Sequence, residues 1–247
     1  MTKTAQILRA LGPIDVKSIQ RDPMLRWMIL LPLLLAAVAR WVMPFILGWV
    51  GDIFRFDALP YYAPIMGYAL VVLTPFLAAT VVGFLLLDQR DDGTLTALQV
   101  TPMSLNGYLL YRLTSPMLVS IIATIIVLPL SGIVSLDAIY LLLVSVGAAP
   151  LAPLLAVTIA VIAQNKVQGF AVMKASGIIL LPPMIAYFFQ GPAHLLLALV
   201  PTYWPAMMLW TAVSGSSTFW FFWFAGIVYQ LLLLGLVARR FNTIMGR

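Results

Sequence analysis

The stretch Leu87–Arg112, LDQRDDGTLTALQVTPMSLNGYLLYR, decides how this chain is read. It is the longest polar interruption between two long apolar runs, and it holds three of the eight acidic residues, Asp88, Asp91 and Asp92. These carboxylates cluster ahead of Gly93 and Thr94, while Leu95, Leu98 and Val100 fall on one apolar side. The pattern predicts a short helix lying outside the bilayer over 88–101. Pro102 stops it, and Ser104 is placed to cap the helix that re-enters the membrane. A protein that only sat in lipid needs no structured polar elbow there. The elbow reads as the place where something outside the membrane pushes on something inside it.

Composition supports that reading. The chain has 247 residues, 63% of them hydrophobic and 9% charged, with a mean hydropathy of +1.05. A soluble domain of this length cannot hide so much apolar surface, so the solvent is lipid. There is no cysteine, hence no disulfide framework and no thiolate metal site. The net charge of +6 is dispersed at the ends of apolar runs, as membrane topology demands and unlike a face that tracks phosphates, so no nucleic-acid partner is expected. The first apolar run starts near Trp27 and is too long for a signal-peptide core.

Residues 4–22 place Ile7, Leu8, Leu11, Ile14 and Ile19 at roughly helical spacing, with Lys3, Arg9, Lys17 and Arg21 between them. This predicts an amphipathic interfacial helix bent at Gly12-Pro13, against the alternative of a frayed basic tail. Six runs are then long enough to span: 25–49, 64–87, 108–132, 138–163, 169–189 and 219–238. A seventh, 193–213, is interrupted by Pro201 and Pro205. With six spans, 12 of the 14 basic residues fall on one side, which the positive-inside rule makes the cytoplasm, with both termini there. A full crossing by 193–213 would move Arg239, Arg240 and Arg247 outside. That segment, extended to 190–218, is therefore expected to dip in from the external side and return, packed against protein. Proline is frequent in the spans, at Pro44, Pro150, Pro182 and Pro183 among others, and each removes a helix hydrogen bond. Kinks that serve motion and prolines that are merely frequent in lipid are equally compatible with this. No inverted repeat joins the halves.

Catalytic chemistry is hard to place. There is no P-loop, no HExxH, no glutamate, and a single histidine, His194. Arg40 is the sharpest single residue, about 20 Å along a helix from Trp27. It marks a substrate pathway if it meets a carbonyl at a proline kink, a lipid phosphate or an anionic group of cargo; otherwise it snorkels to the external headgroups. The tryptophans mostly read as interfacial anchors, with Trp204 in PTYWP as a second pathway candidate.

These features resemble the permease subunit of ABC-2 type ATP-binding-cassette transporters. The matching residues are the basic N-terminus ending in Arg21-Asp22-Pro23, Leu31-Pro32 in the first span, the stretch Asp91-Asp92-Gly93-Thr94-Leu95 with Thr101-Pro102-Met103-Ser104, the re-entrant segment and the basic C-terminus. The likeness covers essentially the whole chain and is greatest to small six-span permeases of drug export, such as fluoroquinolone exporters. It implies an all-α polytopic membrane protein forming a single transmembrane domain over 1–247, in a prokaryotic plasma (inner) membrane. Within it, 88–106 would be a cytoplasmic coupling loop whose helix docks on a separate ABC ATPase, with Asp88, Arg90, Asp91, Asp92, Gly93, Thr94, Leu95, Leu98 and Pro102 at the contact. The family often carries glutamates before the Gly-Thr pair, where this chain has Gln89 and Asp91. The 4–22 helix, with Lys17, Arg21 and Asp22, would be a connecting helix touching the same ATPase. A second permease chain, identical or not, would complete a pathway for small hydrophobic or amphipathic cargo. No cofactor is expected on this chain; ATP and magnesium would sit on the ATPase. The rivals are a proton- or ion-coupled secondary transporter, disfavoured because no acidic residue lies within a span; a lipid-modifying enzyme, disfavoured by the missing catalytic constellation; and a membrane assembly protein without transport.

Overall fold

In lipid every backbone N–H and C=O must bond within its own segment or to protein, and apolar runs of this length meet that demand as helices. The computed structural model describes residues 3–55, 57–92, 105–189 and 192–245, and the regular structure among them is helical throughout. Helix α1 (Lys3–Arg21) precedes a first span made of α2 (Pro23–Ala37), a π turn (Val38–Val42) and α3 (Met43–Phe54). The second span is α4 (Leu59–Asp91) and the third α5 (Leu105–Ser131). The fourth joins α6 (Ala138–Ala148) to α7 (Leu151–Ile162), and the fifth joins α8 (Lys166–Ser176), a 3-10 turn (Gly177–Leu180) and α9 (Leu181–Phe188). A 3-10 stretch (Pro192–Leu199) and α10 (Tyr203–Val213) lead to the sixth span, α11 (Phe219–Met245).

Among the described residues six helical segments are long and apolar enough to cross a membrane, as the sequence predicts. The first two extend beyond their expected limits, to Phe54 and from Leu59 to Asp91. Asp88, Arg90 and Asp91 therefore do not open a separate surface helix; they form the last turn of the second span. Gly93, Thr94, Leu95, Leu98 and Pro102 lie outside the described residues. Segment 193–213 holds no helix long enough to cross: α10 has 11 residues, about 16 Å of helix, roughly half a hydrocarbon core. It is largely buried, with Tyr203, Pro205, Ala206, Met208 and Leu209 inside.

The second span is the axle of the bundle. Of its most apolar 18-residue window 94% is buried, against 78% for the fourth span and 17–28% for the other four. Attraction between helices in lipid comes from close packing rather than from expelling water, so small residues matter most. The fourth span supplies them: Ala148, Ala152, Ala156 and Ala160 recur every turn and are all buried. Gly83 of the second span lies against this stripe, where an added Cβ would sit 3.3 Å from the Ala156 carbonyl oxygen.

Three spans break, and each break is answered by a side chain from elsewhere. In the π turn the Val38 carbonyl accepts the Met43 N–H, five residues on. The same register would give Ala39 the N–H of residue 44, which is proline; the Tyr62 hydroxyl donates to the Ala39 carbonyl instead. In the fifth span Pro183 has no N–H for the Ile179 carbonyl, and the Thr202 hydroxyl donates there. The Tyr68 hydroxyl donates to Leu180 in the same turn. Beside Pro150, the Ala149 N–H closes on Val146 at 3.3 Å, and the Gly147 carbonyl accepts a 3.1 Å bond from Gln230 Nε2 of the sixth span. Pro32, Pro75, Pro116 and Pro129 stay inside continuous helices.

Candidate functional site

Two polar clusters tie the helix ends on the face that carries α1. In the first, Leu11 and Asp15, one turn apart, are buried against the third span. Asp15 accepts from Arg112 twice, Nη1 to Oδ2 at 2.8 Å and Nη2 to Oδ1 at 3.0 Å. The Tyr111 hydroxyl donates to Asp15 Oδ2 at 2.7 Å. Arg112 Nε donates to the Tyr108 hydroxyl at 3.3 Å, and that hydroxyl donates to Gln89 Oε1 at 2.7 Å. Arg112 is 1% exposed, with both tyrosine rings 5.4 Å from its guanidinium carbon. An arginine this deep persists because a bidentate carboxylate and a hydroxyl take up its donors. Gln89 lies just before the polar loop, and Tyr108 and Arg112 just after it. One network thus fixes both flanks of that loop to each other and to α1.

In the second cluster Asp22 caps α2, its Oδ1 accepting the N–H of Met24 at 2.9 Å and of Leu25 at 3.4 Å. Its Oδ2 accepts from Lys166 Nζ at 2.7 Å, and the same ammonium reaches Asp88 Oδ2 at 2.9 Å. Arg90 Nη1 donates to the Ala163 carbonyl at 3.3 Å, where the fourth span ends. The ends of the first, second, fourth and fifth spans are so joined through one lysine and one arginine. Bonding to Lys166 and to the two backbone N–H groups outweighs desolvation and holds the Asp22 carboxyl below the usual 3.8. A carboxyl depressed in the folded state lends stability above its unfolded pKa and loses it as pH falls through the folded value. The thermal midpoint of the wild type is therefore expected to fall below pH 4 more steeply than that of Asp22→Asn, which keeps the cap but not the charge. Asp22→Ala is expected to lose about 1 kcal/mol more, from the cap. Equal pH profiles for wild type and Asp22→Asn would remove the ion pair from this account.

Of the residues singled out in the sequence, Asp88, Arg90 and Asp22 belong to this second cluster, while Asp91, Asp92, Lys17 and Arg21 are exposed around it. The first cluster is not one the sequence marks as a site: Arg112 counts there only as topological charge, as Lys166 of the second cluster does, Gln89 only as a departure from the family's glutamates, and Asp15, Tyr108 and Tyr111 carry no role. The available signal was Asp15 itself, the one acid between Met1 and Arg21 and four residues after Leu11 on the apolar side.

Arg40 and Trp204 lie away from these clusters. Trp204 packs on Tyr229, ring centres 5.6 Å apart, and donates its indole N–H to the Ala198 carbonyl at 3.0 Å. Among the described cavities none is lined by Trp204. Arg40 stands in the π turn, lines a cavity of about 390 Å³, and donates through Nη1 to the Leu130 carbonyl at 3.2 Å. Among the described residues no group of three acidic or histidine side chains converges as a metal site would require.

Over residues 15–238 the chain matches the family described as fluoroquinolones export permease protein Rv2686c-like. Two relatives from Mycobacterium tuberculosis are named fluoroquinolones export permease protein: MT2760 of strain CDC 1551 / Oshkosh and Rv2686c of strain ATCC 25618 / H37Rv. Each is 30% identical over 238 residues, covering 96% of this chain and 94% of the relative. No solved structure matches. Six apolar helices make this a multi-pass membrane protein, and the match over nearly its whole length means that the chain belongs to the Rv2686c-like family of export permeases.

Proposed function

We propose that this chain is the membrane-spanning subunit of an ATP-driven exporter of the ABC-2 type, working as a dimer with an identical or related permease. A separate ABC ATPase binds ATP and magnesium and docks on the face carrying α1, which is cytoplasmic in a prokaryotic plasma membrane. Residues 88–102 carry the contact, with Asp91, Asp92 and Gly93 at its centre, and Lys17 and Arg21 of α1 beside them. The cargo is a small amphipathic compound of the fluoroquinolone kind.

The observation that supports this best is the buried network joining Gln89, Tyr108, Arg112 and Asp15. A loop that receives a push moves helices only if its two ends are fixed to them, and here both ends are held to one buried ion pair. Affinity purification of the intact chain from its native membrane, followed by mass spectrometry and an ATPase assay, tests the proposal. A P-loop ATPase is expected near one-to-one, with activity stimulated by cargo. Gly93→Pro is expected to abolish ATP-driven export while the chain still inserts and dimerises. Recovery of the chain alone under mild detergent would overturn the proposal, and full export by Gly93→Pro would remove the loop from it.

A further inference from the structure

Arg40 lies 17 residues into the first span from Pro23, about 25 Å of helix, near the far edge of a hydrocarbon core of about 30 Å. A guanidinium has five N–H donors. One bond goes to the Leu130 carbonyl, in the last turn of the third span, where the carbonyl end of the helix dipole favours a cation. The Trp41 ring lies 5.7 Å from the guanidinium carbon. Arg40 takes part in none of the ion pairs among the described residues. The space beside it is kept open by Gly132, whose φ of +62° suits glycine, and where an added Cβ would stand 3.4 Å from Arg40 Cζ and Nη1. The cavity they share has Ser135 on its polar side and Leu128, Leu136 and Leu141 on its apolar side.

We infer that Arg40 and this cavity form an oxyanion site for an amphiphile, with the guanidinium holding a carboxylate or phosphate and the leucines holding the apolar part beside it. A planar fork of donors suits a two-oxygen anion better than an ammonium does. Arg40 stands within the π turn that precedes the Pro44-bearing helix, and Tyr62 bonds Ala39, the residue before Arg40. The inference rests on the export reading only in its choice of cargo. Its test uses no ATPase, so failure here leaves the docking proposal standing, and failure of docking leaves this site standing.

The test is equilibrium binding of norfloxacin, which carries a carboxylate, and of its methyl ester to the purified full chain in nanodiscs. Native mass spectrometry of retained phosphatidylglycerol is run on the same samples. The wild type is expected to bind the acid about tenfold or more tightly than the ester, a preference that Arg40→Gln removes and Arg40→Lys keeps in part. Gly132→Ala, which keeps the charge but narrows the space beside it, is expected to weaken the acid and spare the ester. If acid and ester bind alike but Arg40→Gln releases one phosphatidylglycerol, the oxyanion comes from lipid and the site stands. If Arg40→Gln, with an unchanged thermal midpoint, alters neither cargo preference nor lipid retention, the inference is overturned and Arg40 is only a partner for Leu130.

Discussion

Arg112→Met is expected to destabilise the protein by about 3–5 kcal/mol, because it leaves the Asp15 carboxylate buried without its partner. Tyr111 alone would remain to Asp15, one neutral donor in place of a bidentate cation. The double variant Asp15→Leu with Arg112→Met is expected to recover most of that loss, since a buried ion pair replaced by apolar groups of similar size is often neutral. Thermal unfolding in detergent, followed by tryptophan fluorescence, separates the two cases. A double variant as unstable as the single one would show that shape, not charge, matters at this point. Under the proposed function the double variant carries a second expectation. It folds, yet exports poorly, because Leu and Met cannot reproduce the chain of bonds through Tyr108 to Gln89 that joins α1 to both flanks of the loop.

The second large effect is expected at Gly226. Met208 of α10 is fully buried between Gly147 of the fourth span and Gly226 of the sixth. A Cβ on Gly226 would run into the Met208 methyl and come within 2.9 Å of Trp204 Cβ. The methionine tip can swing aside, but Trp204 Cβ is fixed to its backbone, so α10 must shift. Gly226→Ala is expected to cost about 1–3 kcal/mol and to loosen α10. Limited proteolysis between α10 and the sixth span, at residues 214–218, reads that loosening directly. Met208→Ala in the same chain is expected to restore only part of the stability. Full rescue by Met208→Ala would mean that the Trp204 approach is unimportant.

The hydropathy of the chain carries the candidate spans, and the distribution of its basic residues sets 193–213 apart from the six, because the positive-inside rule needs Arg239, Arg240 and Arg247 on the same side as the N-terminus. Neither carries anything of the spans' arrangement. The second and fourth spans are the buried ones, but α4 is apolar on every side, so no periodicity distinguishes a helix wrapped in protein from one wrapped in lipid. The alanine stripe at 148, 152, 156 and 160 was the readable clue, since small residues at that spacing admit a neighbouring backbone. The polar clusters were half legible. Asp88 stands out in the polar stretch, and Arg90 and Asp22 enter through the family resemblance, whereas Arg112 looks like one more basic residue at a span's edge. Its partner lies 97 positions earlier, and only folding brings the two together.

The three backbone breaks have a consequence for how the chain is made. Tyr62 and Thr202 each lie 23 residues after the carbonyl they serve, and Gln230 lies 83 residues after Gly147. In each case the acceptor is synthesised first and the donor later. The first and fifth spans leave the ribosome with a carbonyl that has lost its N–H to proline, and the hydroxyl that replaces it is then still unmade or inside the exit tunnel. Insertion therefore runs ahead of satisfaction at these points, and the open carbonyls must keep contact with water or the insertion machinery until the next segment arrives. The wait is short for the first and fifth spans and longer for Gly147, whose partner lies 83 residues on.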